Sequence, residues 1–264
     1  MPARAVLAIT RLPSFPAAIV RTTPEPHDIA VVAATLQCLP YEVTQHMSGV
    51  APWILASIEH PTLANTFAAQ LHRNGFGTQI IDPDALEIFT PSPRASVTLT
   101  DDTLTIASEN VYLAMRDISV ILHAFHTSED TLTKTNTEIV GYHRGVPITA
   151  EKVKSSYDKQ GSLAVYLATE LGAPILRLTQ DGVRLSSLQG HTTRHRFDLL
   201  LQWLSAHCTR ARVDTSLLQA PRKRLNTRDF GTLQGTHRVE SSNHGACDLA
   251  AKILIESHFA TLPF

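Results

Sequence analysis

The sequence predicts an α+β protein: a small β-α-α-β-α-β sandwich followed by an antiparallel β-rich domain closed by an amphipathic helix. Three observations predict it. Before residue 84, short β-favouring runs alternate with runs whose apolar residues recur every three or four positions. From about residue 94 the apolar residues alternate with polar ones, as strands require. At Phe197 the helical period returns.

"RAVLAIT" opens the chain as a short strand. Pro24 and Pro26 introduce a helix with Ile29, Val32, Ala33 and Leu36 on one face, and Asp28 stands near its start, where a carboxylate favours the free amides. Pro40 suits the first turn of a second, short helix edged by Val43 and Met47. Gly49 can end it in the left-handed conformation, and Pro52 prevents its continuing into the strand "WILASI". Pro61 opens a third helix carrying Leu63, Phe67 and Leu71, Gly75 closes it, and "FGTQIID" is the last strand, stopped by Pro83. Residues 1–84 thus read as one α+β domain.

The stretch "CLPYEVTQHMSGVAPWILASI" followed by "HPTLANTFAAQLHRNGFGTQIID" resembles the C-terminal domain of the bacterial ribosomal stalk protein. The shared features are a short amphipathic helix, an X-Pro before a strand, and an Ala/Leu-rich helix ending in Gly. The resemblance implies the fold alone. The stalk family binds translation factors through lysine-rich helices, whereas here the matching helices carry Glu42, His46, Gln70 and His72.

Residues 94–215 read as a second domain. "ASVTLTDDTLTIAS" is a hairpin around Asp101 and Asp102. "VYLAMRDISVILHAF" gives two strands about a turn at Arg116-Asp117, "LAVYLAT" another, and "PILRLTQDGVRLSSL" a pair folded at Asp181-Gly182. "RFDLLLQWLSAHC" closes the domain as a helix with Phe197, Leu200, Leu201, Leu204 and Cys208 on one face. Antiparallel strands followed by one amphipathic helix resemble the pleckstrin-homology-like fold in its bacterial forms, with "YLAMRDISVIL" matching their strand, Asp-Ile, strand pattern. The layout of the whole chain resembles a bacterial protein family without an assigned activity. The polar span 127–161 reads as a loop or as a projecting arm.

Residues 216–264 read as a linker and a docking helix. The helix, "ACDLAAKILIESHF", lines up Ala246, Leu249, Ala250, Ile253 and Leu254, with Asn243 as its cap. An isolated helix of this length is marginal in water, so it must dock. The polar stretch before it is long enough for return to its own body, the expected outcome, or for reaching a neighbour.

With 264 residues, 43% hydrophobic, 18% charged and a formal net charge of -1, the chain has an ordinary globular balance and no field pulling it toward nucleic acid or anionic lipid. Cys38, Cys208 and Cys247 are odd in number and widely spaced, which suits a reducing, cytoplasmic setting better than a disulfide framework. The N-terminal stretch is broken by Arg4, Arg11, Pro13 and Pro16, so it lacks a signal-peptide core, and no apolar run is long enough for a membrane span.

Chemistry-bearing motifs are sparse. His191 and His195 share a helix face, but no Glu follows His191 and Arg194 and Arg196 would repel a cation. His123 and His126 on a strand face opposite sides. His237, His244 and Cys247 are the best metal candidates, with a fourth ligand missing. Cys208 and His207 point about 100° apart and cannot pair as nucleophile and base. No G-x-S-x-G, P-loop, G-x-G-x-x-G or C-x-x-C occurs. No catalytic residue and no cofactor is therefore assigned. "RKRLNTR", with Arg222, Lys223, Arg224 and Arg228, lacks aromatics for base stacking and reads as linker or partner contact. Leu249 and Ile253 are further candidates for partner contact.

The expected function is a non-catalytic binding or assembly protein acting through protein–protein contacts, with homo-oligomerisation as one form of assembly. The alternative is an enzyme or metal-dependent protein whose histidines converge only in the fold.

Overall fold

The computed structural model describes residues 5–13, 24–48, 51–82, 84–85, 87–144, 146–185, 187–218, 226–233 and 236–260. It has the expected α+β class. The chain divides into two compact units, the first made of Met1–Phe125, Ser162–Pro221 and Cys247–Phe264, the second of His126–Gly161 and Arg222–Ala246.

The N-terminal lobe of the first unit follows the expected order: β1 (Ala5–Arg11), α1 (Pro26–Leu36), α2 (Pro40–His46), β2 (Trp53–Ile58), α3 (Pro61–Arg73) and β3 (Gly77–Ile81). Each helix begins with a proline, whose missing N–H has no partner in a first turn. Carboxylates three residues on satisfy other exposed amides: the Leu39 N–H donates to Glu42 at 2.9 Å and the Glu25 N–H to Asp28 at 3.1 Å. Gly75, at φ +84°, turns the chain out of α3 toward β3. The sheet order is β2-β1-β3, both pairings antiparallel. One face buries Leu7, Ile9 and Trp53 against Val32, Val43, Met47 and Leu71. On α3 the buried line runs through Ala64 and Leu71, and Leu63 is exposed. Gly49 and Pro83, expected to shape the connections, lie outside the described residues.

The body of the first unit contains β4 (Ile88–Phe89), β5 (Ala95–Leu99), β6 (Thr103–Ile106), β7 (Val111–Ala114), the start of β8 (Val120–His143), the end of β9 (Val146–Ala168), β10 (Ile175–Thr179), β11 (Val183–Leu185), α4 (Thr193–His207) and β12 (Arg212–Leu217). β11-β5-β6-β7 form one sheet, while β4, β10, β9, β8 and β12 form another. Val97, Leu104 and Leu185 of the first meet Ile121, Val165 and Leu178 of the second, and Phe197, Leu200 and Leu204 of α4 close the core. The hairpin turn falls at Asp101 and Asp102 as expected, between Leu99 and Leu104.

Helix α5 (His244–Ala260) is buried on two sides. Ala250, Leu254, Ile255 and Phe259 pack on Val120, Leu122, Tyr166 and Ile175 of the larger sheet. Ile253 and Leu249 pack on Val6, Ala8, Ile54 and Ile81, the other face of the N-terminal sheet. A helix apolar around most of its circumference is a core helix. The larger sheet is thus covered on both faces, which is why "VIL" and "LAVYLA" read as continuous apolar runs.

The second unit is a β-sheet. The far halves of β8 and β9 join β13 (Asn226–Leu233) and β14 (Thr236–Ser242) in the order β13-β14-β8-β9. β14 runs antiparallel to β8, with Thr236 opposite Lys134 and Ser242 opposite Ser128. The span 127–161 is therefore strand through most of its length, and the stretch expected as linker carries a hairpin. The sequence is polar at odd and even positions alike here, so no hydrophobic alternation marks the strands.

Candidate functional site

Two polar clusters, one buried and one partly buried, belong to the first unit. Asp214 and His258 are 8% and 5% exposed, and His258 Nε2 lies 2.8 Å from Asp214 Oδ2. The Ser216 N–H donates to Asp214 Oδ1 at 2.8 Å, and its hydroxyl bonds the same oxygen. Burial alone would raise Asp214, but the hydrogen bonds from His258 and Ser216 outweigh it and hold the carboxyl below the usual range. His123 stands close enough for Asp214 to favour its charge, yet burial dominates and lowers its pKa. Its Nε2 has no hydrogen-bond partner among the described residues.

Asp214 thus holds His258 by a hydrogen bond and acts on His123 through its charge. The chemistry of this group is limited. Serine, aspartate and histidine meet with the carboxylate in the middle, so the hydroxyl touches no imidazole that could take its proton. The group ties α5, which carries His258, to β12, which carries Asp214 and Ser216.

The second group does the same job near the start of α5. Arg177 Nη1 donates to both oxygens of Asp248, at 2.7 and 2.6 Å, and the Tyr166 hydroxyl donates to Oδ1 at 2.7 Å. Burial and the Asp248 charge push the Tyr166 phenol far up, so it stays a donor. Neither group was legible as a site, because the partners that α5 contributes lie 44 to 82 residues from those they meet.

The metal candidates do not form one set. Cys247 is buried in the first unit, its thiol 3.9 Å from the Phe125 carbonyl and pushed up to about 12 by burial and the Asp248 charge. His237 lies in β14, and His244 belongs to the second unit, where its ring stands 4.6 Å from that of His126. Among the described residues no three His, Cys, Asp or Glu side chains are grouped to hold a metal. His191 and His195 are exposed at the start of α4, as a solvated helix start requires. Cys208 is buried against Met115.

Of the partner-contact candidates, Ile253 is fully buried and Leu249 packs on the same cluster, so both serve the chain's own core. Arg222, Lys223 and Arg224 lie outside the described residues, and Arg228 falls within β13.

The second unit offers a different surface. β10 pairs with β9 only from Ala164 to Leu167. From 151 to 160 every residue of β9 is exposed, and among the described residues no strand lies along its outer edge. The inner edge is held by β8: Lys159 Nζ bonds Glu129 at 2.9 Å and the Ser155 and Thr133 hydroxyls are 3.3 Å apart. Val153 and Tyr157 stand out on this strand at 58% and 60% exposure. At its base is a groove of about 550 Å³ lined by Glu129, Asp130, Asp158, Glu240 and His244.

The chain matches no protein-family model, no curated protein and no solved structure. Fold and site together define an α+β protein in which β9 ends its sheet along residues 151–160, among the described residues. Among the described residues, no helix is long and apolar enough to cross a membrane.

Proposed function

We propose that this chain is a non-catalytic binding or assembly protein that acts through protein–protein contacts, with residues 151–160 of β9 as its recognition edge. The observation that carries the reading is that edge. An outer row of backbone N–H and C=O groups is a template for a further strand, and main-chain hydrogen bonds supply the affinity of such contacts while side chains select the partner. Val153 and Tyr157 supply apolar area beside it. The Asp214–His258 and Arg177–Asp248 pairs of the first unit, by contrast, are engaged in holding α5.

The resemblances belong to the same proposal. The three-helix, three-stranded N-terminal lobe supports a stalk-domain-like fold, and the two sheets closed by α4 support a pleckstrin-homology-like body. Both folds are commonly used for recognition. A reducing, cytoplasmic setting is supported by three free cysteines.

The test is a paired substitution. Val153→Glu with Tyr157→Glu should abolish co-purification of partners, second copies included. Tyr41→Glu, at an equally exposed aromatic on α2, should leave it intact. Retention of every partner by the β9 variant would refute the reading.

A further inference from the structure

The recognition edge has a self-complementary sequence, "EKVKSSYDKQ" over 151–160. When two identical strands pair antiparallel about a twofold axis, only residues of the same parity can stand opposite one another. Each register is therefore named by the residue at the axis.

We infer that the occupant of this edge is a second copy of the same chain, paired antiparallel through β9 with Ser155 on the twofold axis. The inference rests on reading β9 as the recognition edge. In this register Val153 faces Tyr157, Lys152 faces Asp158, Glu151 faces Lys159, and Lys154 faces Ser156. Symmetry repeats every contact, giving two apolar pairs and four opposite-charge pairs with no like charges opposed. Cross-strand pairs of these types are the units that stabilise antiparallel sheets.

The neighbouring registers lack this match. An axis at Lys154 sets that lysine against itself. An axis at Val153 opposes Lys152 to Lys154. An axis at Ser156 pairs Lys154 with Asp158 but sets Val153 against Lys159. An axis at Tyr157 forms no opposite-charge pair. Lysines on a bare edge ordinarily discourage strand addition. Here they select one register: a foreign strand without acidic residues at the matching positions forgoes the cross-strand charge pairs that a second copy supplies.

The contacts within one copy are compatible with the pairing. Lys159 already bridges to Glu129 on β8, so the second copy's Glu151 extends an acid–lysine–acid row across the sheet. Asp158 accepts from Gln160 Nε2 at 2.9 Å and keeps lone pairs for a lysine. Two four-stranded units become one continuous eight-stranded sheet with both β9 edges covered.

Sedimentation velocity over a concentration series tests this. The full chain should show a monomer–dimer equilibrium. Lys152→Glu should weaken it about tenfold or more, because each replaced lysine then faces Asp158. Adding Asp158→Lys should restore it, since the reversed charges again match. In a Cys38→Ser background, Ser155→Cys should form covalent dimers on mild oxidation, and Glu151→Cys, far from its own copy in this register, should not. A full chain that stays monomeric at the highest soluble concentration, or a double reversal that fails to restore the dimer, overturns the inference. If the chain is monomeric while Val153→Glu with Tyr157→Glu still abolishes partner capture, the edge reading stands and its occupant is another protein. If that variant retains all partners, the edge reading itself falls.

Discussion

Arg177 grips Asp248 with a single nitrogen shared between both carboxylate oxygens, at 2.7 and 2.6 Å, and Tyr166 donates to the same carboxylate from a neighbouring strand. The three side chains connect β9, β10 and α5. Asp248→Asn would leave the guanidinium without its counter-charge in a site where its side chain is only 18% exposed. The expected loss is about 1.5–3 kcal/mol, the range for hydrogen bonds to charged groups. Urea unfolding of the variant and of Tyr166→Phe, which removes one neutral donor and should cost about 1 kcal/mol, checks the order.

Acid should act in two windows. Folding lowers the His123 pKa below its ordinary 6.5, so the unfolded chain binds the proton more readily. Stability is therefore full above pH 6.5 and declines as the pH falls from there through the folded value. Asp214 is held below its ordinary 3.8, so its contribution is full above that pH and disappears as the pH falls through its folded value. Melting temperatures between pH 8 and pH 3 should show both declines, and His123→Leu should remove the upper one.

The cysteines should separate by reactivity. Cys38 is half-exposed. Burial pushes Cys208 up to about 11 and Cys247 up to about 12, so neither supplies thiolate at neutral pH. Alkylation of the native protein should modify Cys38 alone, with the other two labelled only after unfolding. Modification of Cys247 at a rate near that of Cys38 would contradict the buried position of α5.

Helix α5 packs on two sheets at once. Ile253→Ala should cost about 2–5 kcal/mol, because its side chain is fully buried between α5 and the N-terminal sheet. Removal of residues 243–264 should expose the facing surfaces of both sheets and drive aggregation, as light scattering would register. A soluble truncated chain with unchanged melting would refute this packing.

How much of this was legible follows from where the apolar residues are. The N-terminal lobe was readable element by element, since its helices bury one face and its prolines mark each start. The hairpin at Asp101 and Asp102 was readable for the same reason on a strand. The second unit was not, because residues 128–133 are only partly buried, residues 151–160 are exposed, and neither stretch carries a period-two pattern. Helix α5 was readable as a helix, but Ala250 and Leu254 face one sheet while Leu249 and Ile253 face another, which a single apolar stripe does not express. The pairings of His258 with Asp214 and of Arg177 with Asp248 are made by the tertiary fold between distant residues, and no local spacing encodes them.

The central claim is that this protein meets its partner along the outer edge of β9. Amide hydrogen exchange, compared between dilute and assembled protein, tests it most directly, because a strand added to an edge hydrogen-bonds the amides that were facing solvent. New protection is expected within residues 151–160, centred near Ser155, when the assembly forms. An assembly that forms with exchange in 151–160 unchanged, and with new protection on another surface, would contradict it.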